Sequence, residues 1–190
     1  NLAKWAKEFE PKMEIKFLNA QSKRKDLINK FLFVKKYGVY FDYNFVKGEF
    51  EQREFYFTGQ FLPYIVGLSH DKNGCLKVLS NVEFEFGIAS TSKYKSDLVY
   101  QAAYPYSWPY DNGLCFWALS TLDLKQDCLR VGLKYLNLCS RSYVKSGHLW
   151  ETYNAVVDEI AQKKEYPNSE MMGWTAGIYE WIFEYVSRNS

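Results

Sequence analysis

The sequence predicts an all-α protein built from stacked helical hairpins, with long aromatic loops gathered at one end. Three observations support this fold class. Most of the 190 residues lie in stretches whose apolar residues recur at helical spacing, and only one stretch alternates as a strand does. The connections between the helical stretches are long and rich in Tyr, Ser and Pro. Aromatic residues make up 19% of the chain, enough to line a concave site as well as a core.

The first part of the chain is predicted to form two helices. The segment NLAKWAKEFE is typical of a short helix. Pro11 suits the first turn of a second helix, because a first turn leaves its N–H groups unpaired in any case. Residues 12–33 carry apolar residues around a basic middle, QSKRKD, which we interpret as the solvated face of an amphipathic helix that ends before Gly38.

A strand hairpin and two short helices are predicted next. GVYFDYNFVKGEF alternates and contains Lys47-Gly48, which favours a hairpin turned at that dipeptide. TGQFLPYIVGLSH predicts a helix with Pro63 in its first turn, and NGCLKVLSNVEF predicts another that Asn73 would cap. Residues 84–110 then form a connection so long that we expect it to carry function.

Three longer helices are predicted in the remainder. The segment DNGLCFWALSTL begins one, capped by Asp111 or Asn112. Residues 124–143 form the longest, and its apolar residues lie on two sides, as expected for a helix sandwiched between layers. After a loop region at 144–170, a stripe of apolar residues predicts the last helix: Met171, Trp174, Ile178, Trp181 and Tyr185.

The charge balance and the cysteines limit the function classes. Lys plus Arg is 24 and Asp plus Glu is 22, so the chain has no basic footprint for nucleic acid or for a membrane surface. No apolar run is long enough to span a membrane. The four cysteines form no CxxC pair, which argues against zinc, and we expect no cofactor. We interpret them as small buried apolar residues, which favours a reducing compartment and a cytoplasmic location.

The segment SGHLWETYNAV places one carboxylate, Glu151, among aromatic residues. Two interpretations are open: an ordinary helix-entry acid near a cap, or a base aimed at water in a sugar site. Tyr153 could donate a phenol hydrogen bond that favours the charged carboxylate. Similar alternatives apply to Trp108, a core anchor or a stacking surface, and to Glu165, a solvated loop acid or a ligand contact. Asp111 either caps a helix or holds a sugar hydroxyl.

Five segments of the chain, taken in order, resemble the second half of the trehalase family. KRKDLINKFLFVKKYGVYFDYNF is similar to the family's helix followed by a DYD-type segment, and FLPYIVGLS to its Pro-Leu-x-x-Gly helix start. SWPYDNGLCFWAL resembles Gln-Trp-Asp-x-Pro-Asn-Gly-Trp, WETYNAV resembles Glu-Lys-Tyr-Asp/Asn, and EYPNSEMMGWTAG resembles Glu-Tyr-Pro-x-x-x-x-x-Gly-Trp-Thr-Asn-Gly. Together these matches span nearly the whole chain.

The resemblance implies a barrel of six helical hairpins, an (α/α)6 barrel, with residues 1–190 forming part of its single catalytic domain, the C-terminal half. It implies an inverting hydrolase of an α-glucosidic bond, most directly that of trehalose. The carboxylate of the Glu-Lys-Tyr segment is the family's general base, which implies that role for Glu151. The family's general acid lies in a segment that this chain does not match. The residues expected to bind sugar are Trp108, Asp111, Asn112, Tyr153, Glu165, Tyr166 and Trp174.

Departures from the family pattern leave other functions open. Ser107 and Pro109 stand where the family has Gln and Asp, and AQKK stands where it has a glycine run. The segment WPYDN also resembles debranching-type glucosidases, and oligosaccharide-trimming α-glucosidases carry a similar Glu-x-Tyr segment. A non-catalytic carbohydrate-binding or regulatory module is a further alternative. Because half a barrel would expose a wide apolar face, the other half is the expected partner.

Overall fold

The computed structural model describes residues 2–51, 55–94, 100–162, 166–170 and 173–190. The chain divides into two compact units, Asn1–Gln52 and Arg53–Ser190. Most described elements are helices, and the strands are only two or three residues long, so the predicted all-α class is confirmed. Within these ranges, none of the helices combines the length and the apolar character that a membrane crossing requires.

The first unit pairs two helices with two small hairpins. Its helices are α1 (Leu2–Phe9) and α2 (Glu14–Phe31), joined by a 3-10 turn at Pro11–Met13. Its antiparallel hairpins pair β1 (Phe33–Val34) with β2 (Val39–Tyr40) and β3 (Asp42–Asn44) with β4 (Glu49–Glu51). The predicted turn is confirmed, since Gly48 has a φ of +73° and the Asn44 side chain accepts the N–H groups of Val46 and Lys47.

The described residues of the second unit form five α-helices and one ribbon. The helices are α3 (Leu62–Ile65), α4 (Lys72–Val82), α5 (Pro109–Thr121), α6 (Lys125–Ser146) and α7 (Gly173–Asn189). The ribbon pairs β5 (Tyr106–Ser107) with β6 (Tyr153–Asn154) in antiparallel register. The long connections between α4 and α5 and between α6 and α7 are predominantly irregular over their described residues, as the sequence predicted.

Three helix starts or ends differ from the sequence prediction. The helix with Pro63 is a single turn after a 3-10 segment, and the chain reverses at Gly67, which has a φ of +69°. Helix α4 is capped by Asp71, whose side chain accepts the Asn73 N–H at 3.0 Å, so Asn73 is not the cap. Helix α5 begins at Pro109, before the predicted residues, because proline suits a first turn.

Helices α5, α6 and α7 form the core of the second unit. A short turn reverses the chain between α5 and α6. On α5, Gly113 faces Ile178 and the Phe116 ring meets that of Tyr185, so α5 and α7 run parallel. Helix α6 runs antiparallel to α7, because Gly132 faces Ile182 while Ser140 near its other end meets Tyr179. The N-terminal ends of α5 and α7 therefore lie at the same end of the unit as the C-terminal end of α6.

Candidate active site

Glu151 lies in the irregular segment between α6 and the ribbon, and only 6% of its surface is exposed. It belongs to no helix, so the interpretation as a helix-entry acid is wrong. Its backbone N–H donates to the carbonyl oxygen of Ser169 at 2.8 Å. A carboxylate buried on a loop at the helix ends needs hydrogen-bond partners, because burying an unpaired charge is costly.

The backbone of the residues before and after Glu151 is held by several segments. The Trp150 N–H donates to the Tyr153 hydroxyl at 3.0 Å, and the Trp150 carbonyl accepts from the Thr175 hydroxyl at 3.0 Å. The Thr152 carbonyl accepts from the Asn168 amide at 2.7 Å and from the Ala161 N–H at 3.1 Å. We call residues 150–152 the base segment. Its backbone is fixed from the ribbon, from α7 and from the loop before α7.

An aromatic cluster stands at the N-terminal ends of α5 and α7. The Trp108 ring stacks on Tyr110, with 5.6 Å between ring centroids, and meets the edge of Trp174 at 6.1 Å. The indole N–H of Trp108 donates to the Gln101 carbonyl at 2.9 Å. Trp108 is 3% exposed and Trp174 is 42% exposed. Trp108 is therefore the anchor of the cluster, and Trp174 presents its ring to the surroundings.

The β5–β6 ribbon brings the cluster to the base segment. Ser107 pairs with Tyr153 in antiparallel register. Trp108 follows Ser107 and Thr152 precedes Tyr153, so both segments leave the same end of the ribbon. Tyr166 packs on the same side, where its hydroxyl accepts from the Gln101 side chain at 2.9 Å.

Asp111 and Asn112 are fully buried beneath the cluster and tie the long connection to α5. The Asp111 carboxylate accepts from the hydroxyls of Thr58 and Ser90, each at 2.5 Å, and from the Trp108 N–H at 3.3 Å. Burial raises the pKa of Asp111 to about 6, against the effect of those hydrogen bonds. Asn112 donates to the Ser107 hydroxyl and the Trp108 carbonyl and accepts the Ile88 N–H.

Tyr153 is buried in the core under the base segment. Its ring meets that of Tyr135 edge to face, with 6.4 Å between the ring centroids. Burial is the main cause that raises the pKa of the Tyr153 hydroxyl, and the neighbouring Cys139 raises it further. The Tyr153 hydroxyl accepts the Trp150 N–H, so the contact observed for this hydroxyl is with the backbone beside Glu151. Tyr153 thus holds the backbone N–H of Trp150, the residue before Glu151.

The predicted site residues fall into three groups. Trp108, Tyr166, Trp174 and Glu151 lie on adjoining segments at one end of the unit. Asp111, Asn112 and Tyr153 lie beneath them as buried supports. Glu165 lies outside the described residues.

The sequence analysis did not identify several residues that support the candidate site. Tyr110, Asn168 and Thr175 lie inside segments that resembled a known family, which was the signal that could have found them. Thr58 and Ser90 gave no such signal, because each contributes a single hydroxyl from a distant segment. In the part of the chain that the structure describes, no group of His, Cys, Asp or Glu is arranged to hold a metal ion.

Comparisons with known proteins agree on one class. A family model described as trehalase matches residues 1–187. Among solved structures, the chain is similar to neutral trehalase Nth1 from Saccharomyces cerevisiae, with a TM-score of 0.75 and 19% identity; the match covers 96% of this chain. The chain spans 35% of the length of that yeast protein. No curated protein matches the sequence.

The fold is that of the (α/α)6-barrel class, built from the helical hairpins that the sequence predicted. The family follows from the match over residues 1–187. The chain belongs to the trehalase family.

Proposed function

We propose that this chain carries the catalytic base and part of the sugar platform of an inverting glycoside hydrolase that cleaves an α-glucosidic bond, with trehalose as the substrate. Glu151 is the general base that takes a proton from the attacking water. Trp108, Tyr166 and Trp174 form the aromatic wall, and Glu165 contacts the sugar. Asp111, Asn112 and Tyr153 act on the sugar site from beneath, by holding that wall and the base segment in place.

One observation carries the proposal: Glu151 is buried on a loop whose backbone is held on both sides of it, next to an aromatic cluster. A general base works only when its carboxylate is held at hydrogen-bond distance from the water it activates. Inversion places that water between base and acid, with roughly 6.5–9.5 Å between the two carboxyl groups. Aromatic faces suit the C–H-rich faces of a glucose ring.

The general acid and the remaining sugar contacts come from another part of the barrel, outside these 190 residues. The exposed apolar side chains of α1, Leu2, Trp5 and Phe9, support this, because a face of that kind is normally covered in a folded protein. The 35% coverage of the yeast enzyme supports it too. Residues 1–190 therefore form part of one catalytic domain in this proposal.

We place the protein in the cytoplasm and assign it no cofactor. All four cysteines are free thiols and buried, which suits a reducing compartment. The proposed chemistry needs only two carboxyl groups and a water molecule.

The test is Glu151→Gln in the native protein that carries this chain. The amide keeps the size of the side chain but cannot accept the proton, so we expect kcat for trehalose to fall by roughly 10²- to 10⁴-fold. Calorimetry should show that trehalose still binds with an affinity close to wild type.

Glu159→Gln is the matched control, because Glu159 is an exposed carboxylate in the same connection between α6 and α7, on the other side of β6. It should leave kcat unchanged. Full activity in Glu151→Gln would remove this residue as the base, whereas sugar binding without turnover in the wild-type protein would support a binding module instead.

A further inference from the structure

Two polar atoms next to Glu151 are buried without a hydrogen-bond partner: the hydroxyl oxygen of Thr152 and the side-chain carbonyl oxygen of Asn168. Thr152 is fully buried. Leaving such an atom unpaired costs about 1–3 kcal/mol, and folded proteins rarely accept that cost. These atoms therefore point to a ligand that completes their hydrogen bonds.

The two atoms lie beside the same peptide group. The Asn168 amide nitrogen donates to the Thr152 carbonyl at 2.7 Å, which brings the Asn168 side chain against residue 152. This contact also fixes which way the amide points, because the flipped amide would set its oxygen against another carbonyl oxygen. The Asn168 oxygen is thus left as an acceptor, and the Thr152 hydroxyl is available as a donor.

We propose that one buried water bridges the Thr152 hydroxyl and the Asn168 side-chain oxygen, and that these two residues are positioning residues for Glu151. The water accepts the Thr152 O–H and donates one hydrogen to Asn168. Internal waters of this kind are held by two to four polar partners and act as part of the structure. This inference rests on the function proposed above.

The bridge joins the base segment to the loop that precedes α7. Glu151 already donates its N–H to Ser169 in that loop, and Trp150 pairs with Glu170. The water adds a link at the residue directly after Glu151. With Glu151 and Thr152 both tied to the same loop, the direction of the Glu151 carboxylate is set before substrate arrives.

The water itself is tested by a high-resolution crystal structure of the native protein, which does not depend on activity. We expect one ordered water within hydrogen-bond distance of both atoms, and its loss in Thr152→Val, which keeps the side-chain shape without the hydroxyl. A direct Thr152–Asn168 hydrogen bond, or an empty site in the wild-type protein, would overturn the proposal.

The positioning role is tested by kinetics on the same variant. Misdirecting the base should lower kcat by roughly 10- to 100-fold while KM changes little. Thr152→Ser, which restores the hydroxyl, should recover most of kcat. A Thr152→Val protein with wild-type kcat would overturn the role.

Ser142→Ala is the matched control. Ser142 also has a buried hydroxyl without a partner, but it lies on α6, and its side chain makes no hydrogen bond to residues 150–152 in the part of the chain that the structure describes. Its loss should leave kcat unchanged, and an equal fall in both variants would show that the effect is general loss of stability. If Glu151→Gln retains activity, the proposed function fails, yet the crystallographic test of the water stands.

Discussion

Asp111 is a buried carboxyl group whose surroundings oppose its charge. It contacts two hydroxyls and one backbone N–H, and no cation is among its hydrogen-bond partners. Loss of hydration dominates and raises its pKa from 3.8 to about 6. The folded state therefore binds the Asp111 proton more tightly than the unfolded state does.

This predicts an unusual pH dependence of stability. Because the folded pKa is raised, the contribution of Asp111 is fully present below about pH 4 and is lost as pH rises through about 6. The loss amounts to about 3 kcal/mol in the free energy of unfolding. Urea unfolding of wild type and Asp111→Asn between pH 4 and pH 7 measures it.

The difference between the two proteins isolates Asp111, because other carboxyl groups cancel. Asp158 is one of these: hydrogen bonding to Arg141 lowers its pKa, so its own contribution runs the opposite way. We expect wild type to lose stability relative to Asp111→Asn as pH rises. A difference that stays constant with pH would contradict the raised pKa.

The two tryptophans of the aromatic cluster should respond differently to truncation. Trp108→Ala removes a buried ring and its bond to Gln101, so we expect it to lower the free energy of unfolding by about 3–5 kcal/mol. Trp174 is 42% exposed, so Trp174→Ala should cost far less stability and instead weaken trehalose binding by about 0.5–1.5 kcal/mol. Thermal unfolding and calorimetry separate the two effects, and equal effects on binding and stability in both variants would contradict this division.

The sequence indicated candidate site residues but not the contacts that each one makes. Glu151 stood out because it is a carboxylate among aromatic rings, and Trp108 because its segment resembles a known family. The role of Tyr153 could not be predicted, because its hydroxyl partner is the backbone N–H of Trp150, and only the chain path places that group. Thr58 and Ser90 reach Asp111 from distant segments, which local pattern cannot show.

At the scale of elements, close packing of α6 against α7 depends on Gly132. A Cβ atom there would lie 3.1 Å from the methyl carbons of both Ile182 and Val186. We therefore expect Gly132→Ala to lower the free energy of unfolding by about 1–3 kcal/mol through overpacking, as measured by chemical denaturation.

Gly177 on α7 provides the control for that substitution. A Cβ atom there meets nothing within 4 Å, and the residue lies in a helix. Gly177→Ala should stabilise the protein by about 0.5–1 kcal/mol, because alanine has the smaller conformational entropy to lose. If both substitutions left the free energy of unfolding unchanged, the close packing of α6 against α7 at Gly132 would be contradicted.

Helices were predicted better than their ends. Helix α6 was found because its apolar residues repeat over 22 residues. The start of α4 was missed by choosing Asn73 as the cap over Asp71, since both residue types cap well and only the backbone path selects one. The helix with Pro63 was predicted too long, because the left-handed conformation at Gly67 was not evident from sequence.

At the scale of the whole molecule, the relative directions of the helices in the second unit determine where the candidate site lies. Because α5 and α7 run parallel and α6 runs against them, the connection before α5 and the loop before α7 meet at one end. The ribbon of β5 and β6 joins these connections. The order of helices and long aromatic loops in the sequence predicted loops gathered at one end, whereas composition alone does not separate a sugar site from an aromatic core.

The stereochemistry of hydrolysis tests the central claim most directly. Trehalose joins two α-linked glucose units, so inversion at one anomeric carbon releases one β-glucose with one α-glucose. Proton NMR of the native protein with trehalose, recorded before the anomers equilibrate, should show both in equal amounts at first, with neither released by Glu151→Gln. Release of α-glucose alone, or unchanged release by that variant, would contradict an inverting mechanism with Glu151 as its base.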